Sequence, residues 1–180
     1  VMGCSPMLTF LQGVLGPYYL YIKLIHLIAV TAWLWTTAVG YAFYLVPVFK
    51  AWRRNPDDFE IIALRDWVME RFDHGVIYEH LAFPVVLLTG PLLWITAGWS
   101  PAAGWFLLKL LIVISVFLPI EFCDYYLSHL GGKKQLLRAS GDPDRYERGI
   151  QRHWWFLLIT SAPVVFFGVL VMYLAVVKPF

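Results

Sequence analysis

Residues 24–49 read LIHLIAVTAWLWTTAVGYAFYLVPVF, 26 positions without a formal charge and with one histidine, His26, near the start. A helix needs about 20 apolar residues to cross the hydrocarbon of a bilayer. The stretch is long enough, so it predicts a membrane span and decides the class of the protein. An ionisable side chain at membrane depth is costly unless it has a partner, which makes His26 a functional-site candidate. Neutral imidazole is also a common metal and haem-iron ligand.

The rest of the 180-residue chain has the same character. Hydrophobic residues make up 60% and charged residues 14%, against about 25% charged in soluble domains. The mean hydropathy is +0.66. No Asp, Glu, Lys or Arg lies between His80 and Lys109, between Lys109 and Glu121, or between Trp154 and Val177. This predicts spans at about 17–49, 79–99, 104–130 and 153–177, in one domain covering 1–180. The runs are continuously apolar rather than alternating, so they are helices and not barrel strands. The expected fold is all-α, a transmembrane bundle of four helices in contact with the lipid bilayer.

Charge placement predicts orientation. Lys50, Arg53, Arg54, Arg65 and Arg71 fall between spans one and two. Lys133, Lys134, Arg138, Arg145, Arg148 and Arg152 fall between spans three and four, so these two loops hold 11 of the 14 basic residues. Lys and Arg mark cytoplasmic loops, so both long loops are expected inside and both termini outside. The net charge of +2 is then a topology signal and gives no reason to expect nucleic acid as a partner.

The loops carry further detail. Asn55-Pro56 and Asp142-Pro143 each read as an N-cap followed by proline at the first helical position. The first predicts a short cytoplasmic helix along the membrane face, with Ile61, Leu64, Val68 and Phe72 at helical spacing. The second leads through Arg145 and Arg152 into span four. Gly131-Gly132 is expected to end span three. Trp52, Trp99, Trp105, Trp154 and Trp155 at span ends suit an aromatic belt. Cys4 and Cys123 make no disulfide framework, and Cys123 is expected as a small packing residue in mid-helix.

The ionisable residues at membrane depth fall into two groups. His26 on span one and Lys109 on span three each lie roughly 10 Å above the midplane at 1.5 Å per residue, so they can share a pocket. Ala29, Val30, Trp33 and Gly40 continue approximately the His26 face, where small residues would admit a flat ligand or another helix. Two readings fit: an axial ligand with a cationic partner for a porphyrin, or a histidine bonded to a carbonyl and a lysine that snorkels outward. The inner group holds Asp73, His74, Glu79, His80, Glu121, Asp124, His129 and His153. Glu121, Asp124 and Ser128 share one helix face. A proton path to a quinone or porphyrin, a divalent metal site, and a solvated rim with Glu121 paired to an arginine all fit. The last is the plainest, and no pair of ligands here matches a strong metal motif.

Several segments, in order, resemble the HemJ family. They are Tyr21-Ile22-Lys23-Leu24-Ile25-His26 with Trp33 and Phe43-Tyr44-Leu45, then Met69-Glu70-Arg71, then Trp105 to Lys109-Leu110, and the terminal Val176-Val177-Lys178-Pro179-Phe180. HemJ-like proteins are membrane-embedded protoporphyrinogen oxidases that bind a b-type haem. The resemblance implies that His26 matches the family's haem-ligand histidine and Lys109 its functional lysine. The chain departs from the family where it reads Leu45-Val46-Pro47-Val48-Phe49 without an arginine, Ile120-Glu121 in place of a Tyr-His pair, and Thr160-Ser161-Ala162-Pro163 in place of an Asn-Glu before the proline. It is identified as a divergent member.

The expected function is that of a haem b membrane redox protein. His26 would ligate the iron, with Trp33 and Lys109 at the cofactor and Lys109 and Glu121 as candidate catalytic groups. It would oxidise protoporphyrinogen IX or pass electrons to a membrane carrier such as a quinone. The expected location is the inner membrane of a bacterium, as a homo-oligomer or with partner membrane subunits. The alternative is a non-catalytic accessory subunit of a larger energy-converting complex, in which 18% aromatic residues provide surfaces for pigments, lipids or helices. A metal transporter built on the inner group is disfavoured, because the outer half of span two supplies almost no polar path.

Overall fold

The computed structural model describes residues 6–100 and 102–179, with Thr36 described by its backbone only. Cys4 and Phe180 lie outside the described residues. The chain is all-α, with no strand among the described residues, and four of its helical segments are long and apolar enough to cross a membrane.

The first begins with a short helix, α1 (Pro6–Leu15), and a single 3-10 turn at Gly16–Tyr18. It continues as α2 (Tyr19–Gly40), a π-helical turn at Tyr41–Leu45, and α3 (Val46–Arg54). The second comprises α4 (Phe59–Gly75) and α5 (Ile77–Ala97). The third comprises α6 (Gly104–Ile112), a π-helical turn at Val113–Phe117, and α7 (Leu118–His129). A short α8 (Lys134–Ala139) leads to α9 (Pro143–Val177), whose 35 residues form the fourth.

Local chemistry sets the helix ends. The Asp142 carboxylate accepts from the Arg145 N–H at 2.9 Å and Pro143 comes next, as expected of a cap and first-position proline. The corresponding reading of Asn55-Pro56 is corrected. Asn55 ends α3, and the cap of α4 is Asp58, which accepts from Glu60 N–H and Ile61 N–H at 2.9 and 3.2 Å. The helix expected in the first loop is α4 (Phe59–Gly75). It runs through Val76, whose N–H bonds the Phe72 carbonyl, almost directly into α5, and it buries Val68, Met69 and Phe72 in the bundle. Gly98, at φ +65°, ends α5 in the left-handed conformation that glycine adopts without strain.

The molecule is inverted relative to a water-soluble bundle. Leu24, Ile25, Trp35, Phe43, Leu88, Leu111, Ile114, Val165 and Phe166 are exposed, while Arg65, Asp73, Glu79, His80, Glu121, Asp124, Lys134 and His153 are buried. An apolar exterior around a polar interior is what a hydrocarbon solvent selects. Cys123 is on the exterior, exposed rather than packed, because it lies off the α7 face that carries Glu121 and Asp124.

Two apolar clusters hold the helices together. Toward the end bearing the long loops, Leu45, Phe49, Met69, Phe72, Ile150 and Trp154 form one. Phe49 stacks on Trp154 with centroids 4.1 Å apart, an arrangement that adds about 0.5–1.5 kcal/mol to simple burial. Toward the opposite end, Trp33, Phe83, Trp105, Ile112, Phe117 and Leu174 form the other. There Lys178 lies over the rings of Trp99 and Trp105, at 4.5 and 5.5 Å. α2 packs most extensively against α5, and α6 packs against α9. The two pairs meet mainly through side chains.

Candidate functional site

His26 projects from α2 toward α5. Its Nδ1 lies 2.7 Å from the Thr89 hydroxyl oxygen. That hydroxyl has a single proton, which it donates to the Val85 carbonyl at 2.6 Å. Toward His26 the oxygen is therefore an acceptor, and the network assigns the imidazole proton to Nδ1. Nε2 is left with its lone pair, and it has no hydrogen-bond partner among the described residues. Of the two readings of His26, a bond to a carbonyl is replaced by a bond to a hydroxyl that leaves one nitrogen open.

Lys109, half-buried on α6, is close enough to act electrostatically on the His26 ring. Counting residues along the two spans put these side chains at one level, and the bundle brings them together. The Lys109 ammonium has no hydrogen-bond or ion-pair partner among the described residues. Gly90, next to Thr89, faces the His26 ring without a side chain; a Cβ there would sit 3.8 Å from Cε1. Sequence reasoning missed Thr89 and Gly90. The signal was a hydroxyl, one of two with Thr96 in an otherwise apolar half-span, at the depth of His26.

Trp33, two turns along α2 from His26, links the two groups. Its ring packs against Phe83 and Phe117, and its indole N–H donates to Glu121 Oε1 at 2.5 Å. The Glu79 carboxyl lies within hydrogen-bonding reach of Glu121. Both are 7% exposed, and neither Glu79 Oε2 nor Glu121 Oε2 has a partner. Glu121 is thus not paired to an arginine, and the inner group is not a solvated rim. The helices close over it because α4, expected as a helix in the first loop, and α8 cover this end of the bundle.

Beyond this pair the polar groups interlock. His153 Nε2 donates to Asp124 Oδ1 at 2.9 Å, and the His153 Nδ1 accepts from Lys134. Lys134, fully buried, also donates to Asp73 Oδ1 and to the Leu127 carbonyl, each at 3.0 Å. All three ammonium protons are placed, and the Lys134 backbone N–H adds a bond to Asp73 Oδ2 at 3.1 Å. His80 approaches Asp124 Oδ2 with Nε2 at 3.4 Å and meets His129 Nε2 with Nδ1 at 2.9 Å. His74, grouped with these residues from sequence, is exposed and bonds Gln135 instead. Lys134 was read only as a topology charge; nothing in its sequence neighbourhood separates it from Lys133.

The arrangement can hold and relay protons among carboxylates and imidazoles. No group of three or more His, Cys, Asp or Glu is placed to hold a metal ion among the described residues, so the divalent-metal reading of the inner group gains no support. Two cavities lie elsewhere. One of about 610 Å³ is bordered by Trp67, Glu70, Arg138 and Tyr146; one of about 510 Å³ is an apolar groove beside Trp35, Tyr44 and Phe72.

No family model matches the chain, and no curated protein or solved structure matches it.

Proposed function

We propose that this chain is a haem b-binding membrane redox protein of the HemJ-like kind, in which His26 would hold the haem iron. One observation carries the reading: His26 is anchored through Nδ1–H to a fixed acceptor and presents an unpartnered Nε2. A metal-ligating histidine donates its other ring N–H in this way, which fixes its tautomer and its orientation. Lys109 supports the reading, because a partnerless ammonium beside the ligand suits a propionate or the carboxylate of a porphyrin substrate. Gly90 leaves the ring's flank free of a side chain.

A b-type haem, when bound, supplies one-electron redox chemistry. The chain's own part is to hold the ligand, place a cation beside it and keep acid–base groups in the interior. Trp33 fixes Glu121 one layer below, where Glu121 serves as a proton acceptor. In this reading the substrate is a reduced porphyrin, protoporphyrinogen IX, and the electrons leave to a quinone in the bilayer. The two basic loops face the cytoplasm of a bacterium, with the protein in the inner membrane, alone in copies of itself or with partner subunits.

A pyridine haemochrome spectrum of the purified wild type and of His26→Ala tests the proposal. The wild type is expected to carry b-type haem and the variant to lose it. Equal haem in both overturns ligation by His26, and a wild type without a Soret band or extractable haem overturns the whole reading.

A further inference from the structure

We propose that Glu79 and Glu121 form a shared-proton store inside the bundle, loaded from the loop-bearing end through His129, His80 and Asp124. The proposal does not depend on haem. It starts from two carboxyl groups in contact, on α5 and α7, both almost wholly buried. Like charges in contact cannot both persist away from water, so such a pair holds one proton between its oxygens. Trp33 fixes one end by donating to Glu121 Oε1. Glu79 Oε2 and Glu121 Oε2 are buried and receive no hydrogen bond from a donor elsewhere in the bundle, and Ser128 Oγ on α7 is also buried without a hydrogen-bond partner. Orphaned polar atoms concentrated in one place are what a bound water or a transferred proton satisfies.

The groups between this pair and the loops are all of the kind that relay. A proton reaching half-exposed His129 at Nδ1 releases the one on Nε2 to His80 Nδ1, 2.9 Å away. His80 then gives up its Nε2 proton to Asp124 Oδ2, across 3.4 Å. Asp124 sits one helical turn from Glu121 on the same face of α7 and passes the proton to the carboxyl pair, directly or through a bridging water. Each imidazole ends with the proton count it began with. The net change is one proton moved from the loop end to the pair, which restores the shared proton (charge −2 to −1) after the pair has given it up, and no electron is transferred.

The surrounding charges keep this route in place. His153 donates to Asp124 Oδ1 and accepts from Lys134, which is paired to Asp73. Asp124 is thereby held with its second oxygen toward His80. The Tyr125 ring lies edge-on to both His80 and His129 and keeps them against each other.

Infrared spectroscopy of the full chain in lipid nanodiscs, before and after transfer to D2O, tests the proposal. The wild type at neutral pH is expected to show a protonated-carboxyl C=O stretch that shifts on deuteration. Glu79→Gln and Glu121→Gln should each remove it, while Glu70→Gln, in the separate contact with Arg138 and Tyr146, should leave it. Asp124→Asn should keep the band but slow its deuteration roughly tenfold or more. Absence of the band in the wild type overturns the store. Unchanged exchange in Asp124→Asn overturns the route. If a glutamine variant fails to fold, the wild-type band and the Asp124→Asn kinetics still decide, and none of these readouts uses bound haem.

Discussion

Thr89 has one hydroxyl proton and donates it within its own helix, to the Val85 carbonyl. That commitment is why the His26 imidazole must donate at Nδ1 and present Nε2. Thr89→Val keeps the shape and removes the acceptor, so the ring loses its anchor. Haem affinity, measured by Soret titration, is expected to fall about 10–100-fold, the usual range for losing such a partner, while Thr89→Ser retains most of it. A value for Thr89→Val within twofold of the wild type would separate His26 from Thr89. Lys134 makes a different kind of contact. Its fully buried ammonium serves Asp73, His153 and a carbonyl at once. Lys134→Met leaves the Asp73 charge buried without its cation and is expected to cost about 3–5 kcal/mol in detergent unfolding. Lys134→Met with Asp73→Asn removes that stranded charge, so the double variant should be more stable than the single. Depth along a span was enough to pair His26 with Lys109 from sequence. Thr89 and Lys134 were not legible, because their roles are fixed by partners 61 to 63 positions away.

At the scale of helices, each span expected from the uncharged runs falls on one of the four long helical segments, and these segments extend past the expected spans, over Pro6–Arg54, Phe59–Ala97, Gly104–Ala139 and Pro143–Val177. The runs say nothing about rotation. Two π-helical turns set that, and each ends at the same chemistry. Val46 N–H bonds Tyr41 O and Leu118 N–H bonds Val113 O, five residues back in both cases, and Pro47 and Pro119 come next in the chain. Proline has no N–H to return to the carbonyl four positions back, and the wider turn absorbs the break. One extra residue in a turn rotates the next helical segment by about 100°. In span three the rotated segment is α7, which carries Glu121 and Asp124 inward and leaves Cys123 outside. Cys123 was expected as a packing residue from its small size and mid-helix position, which do not tell which way its face turns. Pro119→Ala restores a donor to the Ser115 carbonyl and is expected to relax the turn, moving Glu121 away from Trp33. A double-mutant cycle of Pro119→Ala with Trp33→Phe in detergent unfolding should then show a coupling of about 0.5–3 kcal/mol. Additive losses would mean that Pro119 does not position Glu121.

For the whole molecule, polarity is arranged along the bundle axis as well as from inside to outside. One end carries α4, α8 and the beginning of α9, with Arg65 bound to Asp66 and Glu147 and Arg138 bound to Glu70. The other carries the C-terminal end of α5 and the start of α6, with Lys178 held over Trp99 and Trp105. Several basic groups at the loop end are engaged in pairs, so net charge says little there, but the positive-inside rule counts Lys and Arg rather than net charge. The loop end is therefore expected in the cytoplasm, which also makes His129 the cytoplasmic entrance to the interior acids. Ser140 and Ser100 are exposed at opposite ends and suit single-cysteine reporters in a chain with Cys4→Ser and Cys123→Ser. In intact spheroplasts a membrane-impermeant maleimide is expected to label Ser100→Cys and to reach Ser140→Cys only after lysis. The reverse pattern would turn the molecule over and place the His129 entrance on the outer side, so that the interior carboxylates would load from there.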